Sequence, residues 1–202
     1  MGPMEAILCQ PGLNVTRQEF WDLEALEAVV ADRISWGCDS LDERWEGVWH
    51  FVNPPKMWHA LLSTPLLRAL SPIADRLGLL PFGEGVGIFG AEIDWRMPDQ
   101  VYVRPEDIRE EGVVSAAFVV EIRSPRDESY EKLPFYASCG VDEVLIVHQD
   151  RHFDFYLLGP HATYVEAPDG ESFVFGVTFS TVQNEESEPR LRIATPNGNI
   201  DV

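Results

Sequence analysis

Lysine is almost missing from this chain. Of 202 residues only Lys56 and Lys132 are lysines, and acidic residues outnumber basic ones 34 to 15. The formal charge of -19 favours solubility and repels polyanions at long range, which argues against a simple nucleic-acid coat protein. Cysteine is scarce too. Cys9, Cys38 and Cys139 are odd in number and lack metal-ligand spacing, so reduced thiols in a cytoplasm are expected. No apolar run approaches the roughly 20 residues that span a bilayer. The opening MGPMEAILCQPG has neither the basic start nor the long apolar stretch of a signal peptide. No membrane role is expected.

What is present suffices for a packed core. With 45% hydrophobic residues, one core domain over residues 38–202 is expected, preceded by a helical extension over 1–37. Thr16-Arg17-Gln18-Glu19 has capping-box spacing and predicts a helix burying Phe20, Leu23, Leu26 and Val30. Glu43 to Val52 reads as a strand pair turning at Gly47. From Trp58 to Leu77 apolar residues recur at helical intervals, but Pro65 and Pro72 predict two helical pieces or a kink. His59, at the start of that stretch, reads as a packed or capping histidine on sequence grounds.

The glycines of GEGVGIFG do not precede a helix, so a hairpin turn is expected there rather than a phosphate-cradling loop. Ile88 to Trp95 and Gln100 to Arg104 read as strands. Beyond Val147 several short strands follow, with Asp169-Gly170 as a hairpin turn.

The chain is organised around Phe118 to Val147, which reads as a strand, turn, short helix and strand. Phe118, Val120 and Ile122 share one strand face, while Glu121 and Arg123 share the other. Val144 to Val147 is a continuous apolar run, as in a strand buried on both faces. Lys132 lies between the two strands. Asp99 stands just before the strand beginning at Gln100, so pairing of these strands puts both carboxylates at one sheet end. Such carboxylates stay charged only beside a cation, and oxygen ligands point to Mg²⁺ or Mn²⁺. By spacing alone, a surface salt bridge is the better account of Glu121 and Arg123.

The order of motifs alters that balance. Met97-Pro98-Asp99-Gln100-Val101 is followed by Val119-Val120-Glu121-Ile122-Arg123-Ser124-Pro125. Next come Lys132-Leu133-Pro134-Phe135-Tyr136-Ala137 and Gly140-Val141-Asp142-Glu143-Val144. Together with Glu43, Gly47 and His59 upstream, this arrangement resembles the Uma2 family, also called DUF820, from about Thr16 to about Phe179. The resemblance implies an α/β protein with the PD-(D/E)xK restriction-endonuclease-like fold, a mixed central sheet flanked by helices. The short strands near the C-terminus would be additions to it.

The resemblance also implies roles. Asp99 and Glu121 match the metal-binding acids, the Ile122 carbonyl matches the backbone ligand, and Glu43 matches an acid from the N-terminal part. Arg123 occupies the usual lysine's place, and an arginine holds its charge and cannot act as a general base. Lys132, from the following helix, would substitute in space, with His59 peripheral to the site. The implied activity is Mg²⁺- or Mn²⁺-dependent endonucleolytic hydrolysis of DNA phosphodiester bonds. Two rival expectations are a catalytically inactive interaction module that keeps the fold, and a metal-dependent hydrolase of a smaller phosphorylated substrate. Because the chain is acidic, DNA should bind weakly, through bound metal and a patch of Arg104, Arg109, Arg123, Arg126 and Lys132. Six tryptophans and apolar C-terminal strands predict a homodimer.

Overall fold

A computed structural model describes residues 4–8, 16–20, 23–37, 39–52, 55–124, 127–183 and 188–202. In chain order the first elements are β1 (Met4–Leu8), β2 (Thr16–Phe20), α1 (Leu23–Ser35), β3 (Glu43–Trp45) and β4 (Val48–Phe51). Then come α2 (Met57–Arg76), β5 (Leu80–Phe82), β6 (Ile88–Ala91), β7 (Asp94–Arg96) and β8 (Gln100–Val103). The middle of the chain supplies β9 (Phe118–Arg123), α3 (Leu133–Ser138) and β10 (Glu143–His148). The remaining strands are β11 (Phe153–Gly159), β12 (Thr163–Glu166), β13 (Glu171–Ser172), β14 (Val177–Val182), β15 (Arg190–Thr195) and β16 (Gly198–Asp201).

The central sheet has the order β12-β11-β10-β9-β8-β5 and is mixed. Strands β9 and β10 run parallel, joined through α3, whereas β8, β11, β12 and β5 pair antiparallel with their neighbours. The parallel pair is apolar because both of its faces are covered. Phe118, Val120, Ile122, Leu145 and Val147 pack against Leu62, Leu66 and Leu70 of α2 and against Phe179, Leu191 and Ile193. Val119, Val144 and Ile146 pack on the other side with Phe135 and Tyr136 of α3. Glu121 and Arg123 share the α3 side with Val119, since side chains alternate along a strand. A second sheet, β2-β1-β4-β3-β7-β6, brings Glu43 to the same region, and a third, β13-β14-β15-β16, backs α2's side of the core.

Several expectations need correction. Thr16 does not open a helix: residues 16–20 are strand β2, paired antiparallel with β1, and the helix starts at Leu23. β1 also joins β4 in parallel, and sheet pairing outweighs the local capping signal. α2 is one continuous helix despite Pro65 and Pro72. Both prolines are solvent-exposed, as are Leu61 and Arg68, whose carbonyls lose their partners and can bond water instead. Ile88 to Trp95 is a hairpin rather than one strand, turning between Ala91 and Asp94. Its turn residues Glu92 and Ile93 carry no glycine, proline or asparagine to reveal it. Asp169-Gly170 links two different sheets instead of forming a hairpin. Gly170 has φ 68, and a Cβ there would stand 2.3 Å from the Phe179 carbonyl, so only glycine fits.

The β3–β4 ribbon does form, with Glu46 at φ 50 and Gly47 at φ 94 supplying the left-handed turn that matches strand twist. Cys9, Cys38, Pro125 and Arg126 lie outside the described residues.

Glu143 joins the central and C-terminal sheets. Its buried carboxylate accepts from Ser172 Oγ (2.5 Å), Phe173 N (2.7 Å) and Val174 N (3.0 Å). Glu143→Ala orphans those donors, so it should lower unfolding free energy by about 2–4 kcal/mol, read as a lower urea midpoint. An unchanged midpoint would show that water replaces the carboxylate.

Candidate active site

Asp99 ends the approach to β8 and lies across the end of β9. Its Oδ2 accepts the Ile122 amide hydrogen at 2.5 Å. The next residue, Gln100, is fully buried. Its Nε2 donates to the Ser63 carbonyl (2.8 Å), and Tyr102 donates its hydroxyl to Gln100 Oε1 (2.8 Å). This clamp fixes α2 against β8. His59, one helical turn before Ser63, is buried with Nε2 3.0 Å from Asp99 Oδ1. Its Nδ1 stands 3.4 Å from Glu84 Oε1, yet the alignment is too poor for a hydrogen bond. Among the described residues, His59, Glu84 and Asp99 form the group whose ligand atoms all lie within 4.8 Å.

Beside them lies a second constellation. Lys132 stands immediately before α3, where Pro134 in the first turn loses no helical bond. Its Nζ reaches Glu43 Oε1 at 2.7 Å, Glu121 Oε1 at 3.2 Å and the Met97 carbonyl at 3.4 Å. Glu43 is further held by Trp45 Nε1 (2.6 Å) and the Met97 amide (2.8 Å). Tyr136 donates its hydroxyl to Glu121 Oε1.

One buried ammonium therefore serves two buried carboxylates, with Asp99 nearby. Burial pushes the Glu121 carboxyl up to about 8; Lys132 opposes the shift, while Asp99 and Glu43 add to it. Burial alone would depress Lys132, but Glu121 and then Glu43 outweigh it and hold the ammonium charged. For His59 too, burial lowers the pKa, but Asp99, Glu84 and Glu121 together raise it by more.

The fold thus brings Glu43, His59, Asp99, Glu121, Ile122 and Lys132 to one end of the sheet. Arg123 is near but does not sit beside these carboxylates. Its guanidinium lies over the Tyr130 ring, 5.0 Å from the centroid, with Asp127 Oδ1 3.9 Å from Nε. The expected cationic patch does not assemble. Arg104 is bound to Asp142 at the opposite end of the parallel strands, and Arg109 donates to the Glu106 and Ile108 carbonyls. Sequence reasoning missed Tyr136 and Glu84 as neighbours of the site. Tyr136 was findable, four residues after Lys132 on a helical stretch. Glu84 lies in a turn with no pattern to mark it.

The profile of the Uma2 family, described as "Putative restriction endonuclease", matches residues 42–179. The chain belongs to the Uma2 family. Its structure is similar to the crystal structure of "a putative nuclease belonging to DUF820" from Anabaena variabilis ATCC 29413. The TM-score is 0.52 at 14% identity, covering 65% of this chain and 78% of that one, a likeness of fold. No curated protein sequence matches this chain. Within this Uma2 chain the profile takes in Glu43, His59, Asp99, Glu121 and Lys132 alike.

The shared ammonium generates a prediction. Lys132→Met leaves Glu43 and Glu121 buried without their cation, and should cost about 3–5 kcal/mol of stability near neutral pH. Between the ordinary value of 4.5 and about 8, the folded state binds more protons than the unfolded one. Stability therefore falls as pH rises through that window, and without Lys132, which opposes the shift, the fall continues to higher pH. Urea unfolding below and above the window should show the larger deficit above it. An equal deficit below and above would show that Glu121 is not the group left uncompensated.

Proposed function

We propose that this Uma2 protein is a divalent-metal-dependent endonuclease that hydrolyses phosphodiester bonds of DNA. The observation that carries this reading is a lysine from α3 inserted between Glu43 and Glu121 at the sheet end where Asp99 also lies. The donor set fits a divalent cation. Three acids face one lysine in a poorly solvated place, and a divalent cation would let Glu121, whose proton burial otherwise retains, bind as the carboxylate. Asp99 and Glu121 would hold the ion. The Ile122 carbonyl is a reasonable third ligand, because the carbonyl and amide of one strand residue share an edge and that amide meets Asp99. His59 and Glu84 would complete or flank the set; the imidazole nitrogen makes Mn²⁺ a better fit than Mg²⁺ if His59 joins it.

A bound Mg²⁺ or Mn²⁺ would supply Lewis-acid polarisation of the phosphate and acidify a water. The chain's own residues do the rest. Lys132, held charged by Glu43, orients a water or donates to phosphate oxygens as charge builds on them. Glu43 fixes the ammonium, and Tyr136 fixes the Glu121 carboxylate through Oε1, which Lys132 also approaches. Neither Arg123 nor a protonated Lys132 can take the proton from the attacking water.

The net charge of -19 favours one rival, a non-catalytic interaction module, because affinity for DNA comes largely from cationic contacts to phosphate. Calorimetric titration with Mg²⁺ and Mn²⁺, paired with a DNA-cleavage assay, separates them. Mg²⁺ or Mn²⁺ should bind wild type, and Asp99→Ala and Glu121→Gln should lose both that heat and DNA cleavage. Lys132→Ala should keep the heat and cleave at least about 100-fold more slowly, while Arg123→Lys should be tolerated. Cleavage by no protein in the set, wild type included, would leave the interaction module as the better reading.

The same reading includes a two-fold homodimer, supported by Val165 and Phe173 near the C-terminal strands, exposed at 58% and 71%. Light scattering at micromolar concentration should give twice the chain mass; a monomer there defeats it.

A further inference from the structure

Arg123 differs from the arginines whose partners are carboxylates. Arg96 meets Asp94 and Arg192 meets Asp201, each at 2.7 Å. Arg123 has only Asp127, at 3.9 Å, and its Nε has no hydrogen-bond partner among the described residues. The acids around it are committed elsewhere. Asp127 accepts from Ser124 N, and also from Ser129 N (3.2 Å) and Ser129 Oγ (2.9 Å). Asp154 accepts the Tyr130 hydroxyl at 2.6 Å and stands 2.8 Å from His148 Nε2.

The same contacts hold the guanidinium in place. The Tyr130 ring lies beneath it, and a cation over an aromatic face is attracted to it. The far end of that ring is fixed by Asp154, with His148 Nε2 3.3 Å from the hydroxyl. His148 is itself the register partner of Arg123 across the parallel pair, so both end their strands on the α3 side. Arg123 is 35% exposed, enough to meet a ligand, and is immobilised before one arrives. It stands two residues, about 7 Å, beyond Glu121 along β9. A phosphate on Arg123 is thus a neighbour of any phosphate held at the Glu121 carboxylate.

We infer that Arg123, stacked on Tyr130, is a phosphate-binding subsite for the nucleotide next to the one attacked. A planar guanidinium matches two phosphate oxygens with parallel N–H donors, a fit that lysine lacks. The site then takes a polynucleotide in preference to a small phosphate ester. The binding claim stands on Arg123 alone; the phrase "next to the one attacked" rests on the nuclease reading above.

The test is fluorescence anisotropy with a labelled single-stranded oligonucleotide, using Ca²⁺ in place of Mg²⁺. Arg123→Gln should weaken binding about tenfold at low salt. It should also reduce the slope of log affinity against log salt by about 0.7. Arg123→Lys should retain the slope, and Tyr130→Phe should retain it with a smaller loss of affinity. Neutral methylphosphonate placed at successive linkages should weaken wild type at one position and leave Arg123→Gln indifferent there. The subsite is overturned if Arg123→Gln keeps the wild-type slope, if both proteins respond alike to every methylphosphonate, or if wild type does not bind. If the slope and methylphosphonate effects appear but no protein cleaves with Mg²⁺ or Mn²⁺, the subsite stands and the nuclease reading fails.

Discussion

The site depends on one ammonium shared by two carboxylates that water barely reaches. Burying Glu43 and Glu121 together is unfavourable through both desolvation and mutual repulsion. Lys132 offsets part of that penalty, and its own charge is stabilised by the acids it serves. The arrangement ties three separate pieces of chain: β3 through Glu43, β9 through Glu121, and α3 through Lys132. Two further contacts narrow its freedom, the Met97 amide on Glu43 and the Tyr136 hydroxyl on Glu121.

Around this centre the structure divides polar work between the two faces of one strand. On the α2 side, β9 contributes Phe118, Val120 and Ile122 to a dry core. On the α3 side the same strand passes from buried Val119 to Glu121 and then to half-exposed Arg123, so polarity rises toward the strand's end. Asp99 and Gln100, joined by one peptide bond, both meet α2. Asp99 faces His59 and the Ile122 amide, while Gln100 anchors α2 through Ser63, which in turn aims His59 at Asp99. A buried amide network is costly unless every member is satisfied. Here Gln100 uses both ends of its side chain, with Ser63 at one and Tyr102 at the other.

The acidity of the chain and the chemistry of its site are compatible once charge is counted locally. Arg33, Arg96, Arg104 and Arg192 are paired with aspartates, so they add little positive field. Lys132 faces inward. Arg123 is placed differently, its neighbours' carboxylates being occupied by serine, tyrosine and histidine donors. Weak, salt-sensitive attraction to phosphate is what such a surface can provide.

The sequence by itself determined the strands of the parallel pair and the placing of Asp99 and Glu121 at one sheet end. Alternation from Phe118 to Arg123 and the apolar run from Val144 to Val147 depend on local periodicity, which strands express directly. The order of Asp99, Glu121 and Lys132 carried the family resemblance. Tertiary structure decided what periodicity cannot encode. Thr16 became part of a strand because β1 and β4 offered pairing that a local capping box could not outweigh. Pro65 and Pro72 left α2 whole because they fell on its solvent face, a fact set by which side of the helix the core occupies. Glu84 reached His59, Arg104 turned to Asp142, and Arg123 chose Tyr130 over the carboxylates two residues away. Those pairings join residues far apart in the chain or set rotamers among neighbours, and both follow from packing rather than from spacing.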